Sequence, residues 1–409
     1  MSARVHRLAN GLTVAVEPMA SVETVAVGLY ADVGSRSEAE PVSGLAHMVE
    51  HMVFKGAGPR DARAIAEDIE DVGGSLNAWT SRDATVFHAR VLPADLTLAV
   101  DMIADLIRAP RFDADELERE KQVVLSELGE ARDTPDDIVF DHLQAAAFRD
   151  QPVGRPVLGN ETSIAAITAL DLHDWLTTHY RPDGLVLAAA GAVDEDALQR
   201  LAEARFGDLT PGTRPATATA AFTPGVHYDT RRFDQIHLAL GYPGLGHLDA
   251  DVYALSLFAS AAGGGMSSRL FQELREQRGL AYSVYAWSQS HDDAGVLGLY
   301  LAAARGDAAR ALTLAREVMA RTTEDFTQAE LDRAKAQSKA GLLMGLESVQ
   351  SRCDHLARQL QIHGRIVRPA EIVANIDAVT LAQARAAGTR AITGGEALAS
   401  VGGKLMAAA

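Results

Sequence analysis

The sequence is poor in cysteine and in basic residues, and both shortages narrow the range of functions. The only cysteine is Cys353, which excludes an internal disulfide and a cluster of thiolates around a metal. Lysine and arginine total 38 against 55 aspartate and glutamate, which gives a net charge of −17. Such a chain lacks the basic excess with which proteins bind nucleic acid or anionic membranes, but it is compatible with cationic partners. We expect Cys353 to be a buried or half-buried helical residue.

Long apolar runs are also missing. No stretch reaches the length needed to span a bilayer, and the start MSARVHRLANGLTVAVEP has no apolar core of a signal peptide. We therefore expect a cytoplasmic protein without membrane insertion.

The length of 409 residues allows two domains, each with its own core. The stretch 209–225, rich in Pro, Thr and Ala, reads as a linker between domains at 1–208 and 226–409.

The segment GLAHMVEHMVFKG (44–56) carries the most specific chemical signal. Its residues His47, Glu50 and His51 have the spacing H-x-x-E-H, and on a helix these positions share one face. Two imidazoles four residues apart suit zinc, and a neighbouring carboxylate that is not a ligand can take a proton from the attacking water. On its own, the pattern is equally compatible with two ordinary histidines on an amphipathic helix.

A zinc site of this kind needs a third protein ligand. The segment FDADELEREKQVVLSELGEARDTPDD (112–137) predicts a long helix, with Asp113 and Asp115 as start signals. Glu120 and Glu127 stand two turns apart on it, beside the apolar positions rather than opposite them. A carboxylate stripe is usually a solvated face, so the helix offers candidates but does not choose between them.

The chain resembles the pitrilysin/insulinase family of zinc peptidases, and within it most resembles the mitochondrial processing peptidase β subunit and its bacterial relatives. In that family a glutamate ligand follows the inverted zincin motif by about 76 residues, and Glu127 stands at that distance from His51. Further blocks resemble the family in the expected order: SLNAWTSRDATVFHARV (75–91), DTPDD (133–137), PVGRPVLG (152–159), HYRPDGLVLAAAG (179–191) and GGGMSSRLFQELREQRGLAYSV (263–284). The resemblance covers essentially the whole chain.

The mixed strand, helix and hairpin signals predict an α+β fold with mainly antiparallel sheets and flanking helices. The resemblance implies two such homologous domains facing each other as a clamshell, with the substrate chamber between them. The two halves also resemble each other when Phe112 is aligned with Phe326. In that alignment Glu120 meets Ala334 and Glu127 meets Gly341, so the second half reads as a copy without the metal site.

The resemblance also implies substrate-binding residues. The strand predicted at 84–91, preceded by a bend, matches an exposed edge strand of the family, to which an extended peptide adds by backbone hydrogen bonds. Asn77 and Ala78 match positions beside the scissile bond, although Asn77 read alone is a turn residue. Trp79 is either a pocket wall or a core aromatic.

The second half supplies two further residues by the same resemblance. Arg275 and Tyr282 match an arginine and a tyrosine that the family brings across the chamber, where they bind the carbonyl oxygen of the substrate. The alternative reading is that Arg275 caps a helix and Tyr282 packs in the sheet.

These residues predict zinc-assisted hydrolysis of peptide bonds in peptides or presequence-like unfolded segments, basic ones included. His47, His51 and Glu127 are the predicted ligands, Glu50 is the general base, and Glu120 orients a histidine or supports the water. Cobalt or manganese also suit such ligands. Because two domains make half of the enclosure found in longer family members, we expect a homodimer. The alternative is a non-catalytic scaffold or peptide-binding subunit of a larger complex, although relatives of that kind generally have site residues replaced.

Overall fold

The computed structural model describes residues 3–404. The strands are β1 (Arg4–Arg7), β2 (Thr13–Pro18), β3 (Val25–Ala31), β4 (Gly56–Ala57), β5 (Arg60–Asp61), β6 (Ser75–Thr80), β7 (Thr85–Val91), β8 (Leu185–Gly191), β9 (Gly225–Asp229), β10 (Gln235–Pro243), β11 (Ser283–Ser290), β12 (Gly295–Ala304) and β13 (Ala397–Val401).

The α-helices are α1 (Leu45–Val53), α2 (Ala62–Asp71), α3 (Leu96–Arg108), α4 (Ala114–Asp133), α5 (Pro135–Ala147), α6 (Glu161–Ala166), α7 (Ala169–His179), α8 (Glu195–Phe206), α9 (Val252–Gly263), α10 (Ala308–Asp325), α11 (Gln328–Gly345), α12 (Val349–His363), α13 (Pro369–Ala378) and α14 (Leu381–Thr393). Short 3-10 turns lie at Ser35–Ser37, Glu40–Val42, Pro93–Asp95, Pro152–Gly154 and Pro182–Gly184, and a π-helical turn at Phe271–Glu276. Both helices predicted around the candidate zinc residues are present, as α1 and α4.

The first sheet has the strand order β1-β2-β8-β3-β7-β6 and is antiparallel except for the parallel pair β2 and β8. Its main core lies under α1, α3 and α4. Its other face packs against α12, where Tyr30 and Val186 meet Cys353 and Leu356. Since both faces are covered, every residue of β3 and β8 is buried. The prediction that Cys353 is buried on a helix is confirmed.

The second sheet repeats this plan. Its order is β11-β12-β10-β13-β9, again antiparallel except for one parallel pair, β13 and β9. Helix α5 packs against this sheet, with Leu143 and Val139 among its buried contacts. Helix α11 begins at Gln328, the residue that the internal repeat aligns with Ala114 at the start of α4. The prediction of two α+β domains with mainly antiparallel sheets is confirmed.

The chain forms two compact units that are discontinuous in sequence. Among the described residues, one comprises 3–128, 156–218 and 344–367, and the other comprises 129–155, 219–343 and 368–404. The cause is an exchange of equivalent helices. Helix α5 packs on the second sheet, and α12, which the internal repeat aligns with it, packs on the first. The domains predicted at 1–208 and 226–409 are continuous in sequence, so they differ from these two units, in which α5 and α12 are exchanged. Residues 210–224, inside the predicted linker 209–225, form neither helix nor strand.

The predicted edge strand was assigned wrongly. Within the segment 84–91, residues Thr85–Val91 form β7, which lies between β3 and β6. The open edge belongs to β6, which pairs with β7 on one side only. The residues before Ala84 are therefore not simply a bend, because Ser75–Thr80 is a strand and the turn is limited to 81–84.

Helices long and apolar enough to cross a bilayer are absent from residues 3–404.

Candidate metal centre

The helix that carries the motif is fixed at its first turn. Gly44 precedes it with φ +97°, and a Cβ at this position would lie 2.7 Å from the backbone oxygen of Leu158. The buried carboxylate of Glu38 accepts hydrogen bonds from the backbone N–H groups of Gly44 and Ala46, both at 2.8 Å. A carboxylate stabilises the positive end of a helix, so Glu38 and Gly44 set the start and direction of α1.

The predicted ligands meet in the first unit. Nε2 of His47 lies 3.9 Å from Oε2 of Glu127, and Nε2 of His51 lies 3.6 Å from the same oxygen. One ligand atom from each of the three residues falls within 4.8 Å of the others. Because α1 presents positions i and i+4 on one face, the imidazole rings lie side by side, with centroids 4.4 Å apart.

Glu120, the other carboxylate singled out on α4, contacts one of the two histidines. Nδ1 of His51 donates a hydrogen bond to Oε1 of Glu120 at 2.8 Å, and the Glu120 side chain is only 5% exposed. With the carboxylate accepting, Nδ1 of His51 carries the proton of this hydrogen bond, and Nε2 is the ring nitrogen that faces Glu127. The arrangement is that of the outer carboxylates that orient histidine ligands of metals.

Lys55 is a residue that sequence reasoning missed. Its Nζ lies 2.6 Å from Oε2 of Glu120, so Glu120 bridges Lys55 and His51. The signal was present in the sequence, because Lys55 continues the four-residue spacing of His47 and His51. A cation at this distance holds the Glu120 carboxylate in place beside His51.

Glu50 lies on the same helix and is half-buried. Its Oε2 receives no hydrogen bond from residues 3–404 and is shielded from solvent. Burial raises the pKa of Glu50, while the Thr80 hydroxyl and the charge of His51 oppose the rise and Glu127 adds to it. Thr80 ends β6, so the edge strand finishes beside Glu50. This contact was not predicted from the sequence.

The residues present fit a zinc ion. Burial, with a smaller effect of the neighbouring His51, lowers the pKa of His47 to about 3, so its imidazole is neutral and able to donate a lone pair. Tetrahedral ligands about 2.1 Å from zinc stand roughly 3.4 Å apart, and the Nε2 to Oε2 separations are only slightly longer. Two imidazoles and one carboxylate are also the donor set of catalytic zinc sites.

The predicted substrate residues lie on β6. Asn77 and Trp79 are exposed, with Trp79 37% accessible, while Ala78 is buried at 9%. The side-chain oxygen of Asn77 accepts a hydrogen bond from the Ala78 backbone N–H at 2.8 Å. Trp79 is therefore not a core residue, and Asn77 is in mid-strand rather than in a turn. Their roles in binding stay predictions.

Arg275 and Tyr282 contact each other in the second unit. The Arg275 guanidinium lies 4.8 Å from the centroid of the Tyr282 ring and equally far from that of Phe271. Tyr282 is 71% exposed and directly precedes β11, so it does not pack in the sheet. Arg275 belongs to the π-helical turn 271–276. Their predicted role towards the substrate carbonyl stays a prediction.

Comparison with known proteins agrees with this site. The family model described as insulinase (peptidase family M16) matches residues 13–161, and the model described as peptidase M16 inactive domain matches 166–338. The first match contains His47, His51 and Glu127. The second covers much of the half that lacks a copy of this site.

Proteins of similar length that match this chain are named as zinc proteases, as a protease or as a peptidase M16 domain. An uncharacterised zinc protease of Mycobacterium leprae is 39% identical over 93% of this chain and 87% of its own length. One from Bacillus subtilis is 34% identical over 96% of both chains. A solved protease from Helicobacter pylori has a TM-score of 0.91 at 22% identity, covering 98% of this chain and 99% of its own. A solved structure described as the peptidase M16 inactive domain from Pseudomonas fluorescens has a TM-score of 0.91 at 23% identity, and the match covers 99% of this chain and 98% of that one.

The two solved structures, at 22% and 23% identity, support the fold alone. The matches in sequence also support membership of a family. The insulinase family model and relatives of nearly equal length that are named zinc proteases agree with a His/His/Glu cluster that fits zinc. This chain therefore belongs to the insulinase family of zinc proteases, peptidase family M16.

Proposed function

We propose that this protein is a zinc metalloendopeptidase in which Glu50 is the general base. The observation that carries the proposal is the buried Glu50 oxygen, which has no hydrogen-bond partner among residues 3–404 and lies on the helix that carries His47 and His51. Buried carboxylates that stabilise a fold are in most cases paired. A carboxylate that takes a proton from a reacting water needs an oxygen atom to which no protein group donates a hydrogen bond.

The residues divide the chemistry among themselves. His47, His51 and Glu127 would hold the metal, which when bound supplies Lewis acidity that lowers the pKa of water and polarises a carbonyl oxygen. Glu50 takes the proton of the attacking water and later donates it to the departing amine. Glu120 fixes the tautomer of His51, and Lys55 holds Glu120 in place.

The open edge of β6 supports a peptide as the substrate. An extended chain can add to an edge strand through backbone hydrogen bonds, which is tolerant of sequence. Thr80 ends this strand beside Glu50, so a peptide paired with β6 would run past the general base. On this proposal Asn77, Ala78 and Trp79 contact the substrate near the bond that is cut.

Three further parts of the proposal rest on charge and on family resemblance. The net charge of −17 favours basic peptides over acidic ones. Arg275 and Tyr282 would bind the carbonyl oxygen of the substrate. The working form would be a homodimer, which light scattering after size exclusion would check. A monomer that retains full activity would contradict the dimer.

Cleavage of peptides blocked at both termini tests the endopeptidase. The unmodified protein should cut them, lose activity with a chelator and regain it when zinc is added. Glu127→Gln should lose most of the zinc and the activity, because it removes a charged ligand. The exposed Glu130, one turn further along α4, gives the matched control, and Glu130→Gln should retain both.

The scaffold alternative makes the opposite prediction. A folded protein that binds the blocked peptides but cuts none of them, with zinc present at the site, would favour a non-catalytic subunit. Cutting only of peptides with a free terminus would instead replace the endopeptidase with an exopeptidase.

A further inference from the structure

Three more polar side chains of the first unit resemble Glu50 in having a buried atom without a hydrogen-bond partner. Within residues 3–404, the unpaired side-chain atoms that are shielded from solvent include Oγ1 of Thr80, Nε1 of Trp175 and the hydroxyl oxygen of Tyr180. Trp175 is only 4% exposed and Tyr180 only 6%. Because most buried polar atoms in folded proteins are hydrogen-bonded, each of these atoms needs an explanation.

The elements that carry these side chains surround the motif helix. Helix α1 packs against both β6 and α7. Thr80 is the last residue of β6, Trp175 lies on α7, and Tyr180 directly follows α7. Thr80 pairs across the hairpin with Thr85, whose hydroxyl donates a hydrogen bond to the Val33 carbonyl oxygen at 3.0 Å. The side chains therefore approach one another at the side of α1 that meets β6 and α7.

The Tyr180 hydroxyl is close enough to these groups for each of them to affect its pKa. Burial raises the pKa of Tyr180, and the Thr85 hydroxyl opposes the rise. The Glu50 carboxylate adds to the rise, and the indole N–H of Trp175 opposes it. Burial also raises the pKa of Glu50, and the Thr80 hydroxyl opposes that rise. The four unpaired atoms thus belong to one buried polar region next to Glu50.

The donors and acceptors of this region suit a single water molecule. The indole of Trp175 only donates, an ionised Glu50 only accepts, and the Tyr180 hydroxyl does both. A buried water makes about three hydrogen bonds to groups that are otherwise unpaired, so it can accept from the indole and donate to the carboxylate. A carboxylate has about four acceptor positions, and one hydrogen bond from this water leaves positions for the reacting water.

We propose that Trp175 and Tyr180 hold an enclosed water molecule that donates a hydrogen bond to Glu50, which makes Tyr180 a positioning residue for the general base. The Thr80 hydroxyl completes the enclosure. No protein group then needs to donate to the carboxylate, yet its orientation is fixed. A base that is already oriented towards the attacking water loses less entropy in the transition state. The inference rests on the proposed peptidase function and explains how its general base is positioned.

Removal of one hydroxyl tests the positioning role. Tyr180→Phe keeps the ring, whose centroid lies 6.3 Å from that of Phe87. It should lower kcat by on the order of ten-fold and leave KM and the zinc content unchanged, because substrate and metal still bind while the base is less well oriented. A kcat equal to that of the unmodified protein would overturn the proposal. If Tyr180→Phe does not fold, Thr80→Val and Trp175→Phe provide the same test with the same expected loss.

A second background distinguishes positioning from a structural role. A tyrosine that only stabilised the fold would slow turnover with or without the Glu50 carboxylate. Tyr180→Phe should therefore cause no further loss in Glu50→Gln, and equal fold losses in both backgrounds would overturn the proposal. Tyr242 of the second unit gives the control, because it is 3% exposed and its hydroxyl donates to Glu396 at 3.2 Å. Tyr242→Phe should keep the kcat of the unmodified protein.

A measurement without turnover separates this proposal from the function on which it rests. A high-resolution crystal structure of the zinc-free protein should show a water within about 3.2 Å of both the Tyr180 hydroxyl and the Glu50 carboxylate. The same water should be lost in Tyr180→Phe. If it is present but the unmodified protein cuts no blocked peptide, the peptidase is rejected and the enclosed water stands. If no water lies there, the proposal is overturned even when peptides are cut.

Discussion

At the scale of single residues, the candidate metal centre depends on side chains that do not themselves contact the metal. Glu120 accepts a hydrogen bond from Nδ1 of His51 and forms an ion pair with the ammonium group of Lys55. Removal of its charge should weaken the hold on the imidazole. Glu120→Gln should therefore lower the affinity for zinc by about 10- to 100-fold, as measured by competition with a chromophoric chelator.

Glu118 gives the matched comparison for that variant. It lies on the same helix with its side chain 69% exposed and pairs with Lys121, so Glu118→Gln should leave the zinc affinity unchanged. Equal affinities for Glu120→Gln and the unmodified protein would show that Glu120 does not position His51.

The sequence predicted the residues of this centre unevenly. His47, His51, Glu120 and Glu127 could be found because helical spacing and one family distance tie them together. Lys55 shares the four-residue spacing of His47 and His51, but nothing in the local sequence tied it to Glu120. Thr80 could not be found, because its position beside Glu50 results from the packing of β6 on α1 and has no trace in the local sequence.

At the scale of elements, α4 joins the metal site to the core through one stripe of its surface. Val124 is fully buried in the main core, whereas Val123 is 43% exposed. Val124→Ala should lower the free energy of unfolding by roughly 2 kcal/mol, since it removes buried methyl groups and leaves a cavity. The same change at Val123 should have an effect below about 0.5 kcal/mol. Denaturant unfolding of the zinc-free proteins measures both, and equal losses would contradict the assigned face of α4.

An ion pair in the second unit gives a prediction about pH. Burial alone would raise the pKa of Glu330, but hydrogen bonds from Arg269 and Thr327 outweigh it and lower the pKa to about 2. Because the folded-state pKa lies below the unfolded value of 4.5, the stabilisation is complete above pH 4.5 and disappears as the pH falls towards 2. Glu330→Gln should thus be less stable than the unmodified protein at pH 7, and the difference should shrink over that range. A constant difference from pH 7 to pH 2.5 in thermal unfolding would contradict the ion pair.

The elements themselves were largely predictable, and the error in them has a physical reason. The H-x-x-E-H spacing indicated α1, periodicity and start signals located α4, and α11 begins at the residue that the internal repeat aligns with the start of α4. The edge strand was misplaced because SLNAWT contains residues common in turns, which hid the alternation of buried and exposed positions in β6. Strand order is a tertiary property, so local pattern could not show which member of the hairpin is outermost.

At the scale of the whole molecule, the exchange of α5 and α12 determines which parts of the chain fold together. The first sheet buries Tyr30, Val86 and Val186 against α12, which comes from residues 349–363. A fragment of residues 1–208 lacks that helix and should expose this apolar face. We expect it to bind a hydrophobic dye and unfold without a sharp transition, and we expect co-expression with residues 209–409 to restore zinc binding. Cooperative unfolding and zinc binding by the fragment alone would show that the exchange is not needed.

The sequence alone could not reveal this exchange. The repeat makes α5 and α12 equivalent, and both have an apolar face that either sheet could bury. Linker composition therefore suggested a continuous division at 209–225, whereas packing produces units made of separate segments.

The most direct test of the proposed function is zinc content and peptide turnover of Glu50→Gln beside the unmodified protein. Glu50 is not a ligand, so both proteins should hold equal amounts of zinc. Turnover in the variant should fall by at least about 100-fold, because the amide cannot accept the proton of the attacking water. Turnover retained in a zinc-loaded Glu50→Gln protein, or a folded unmodified protein that binds no zinc, would contradict the assigned site.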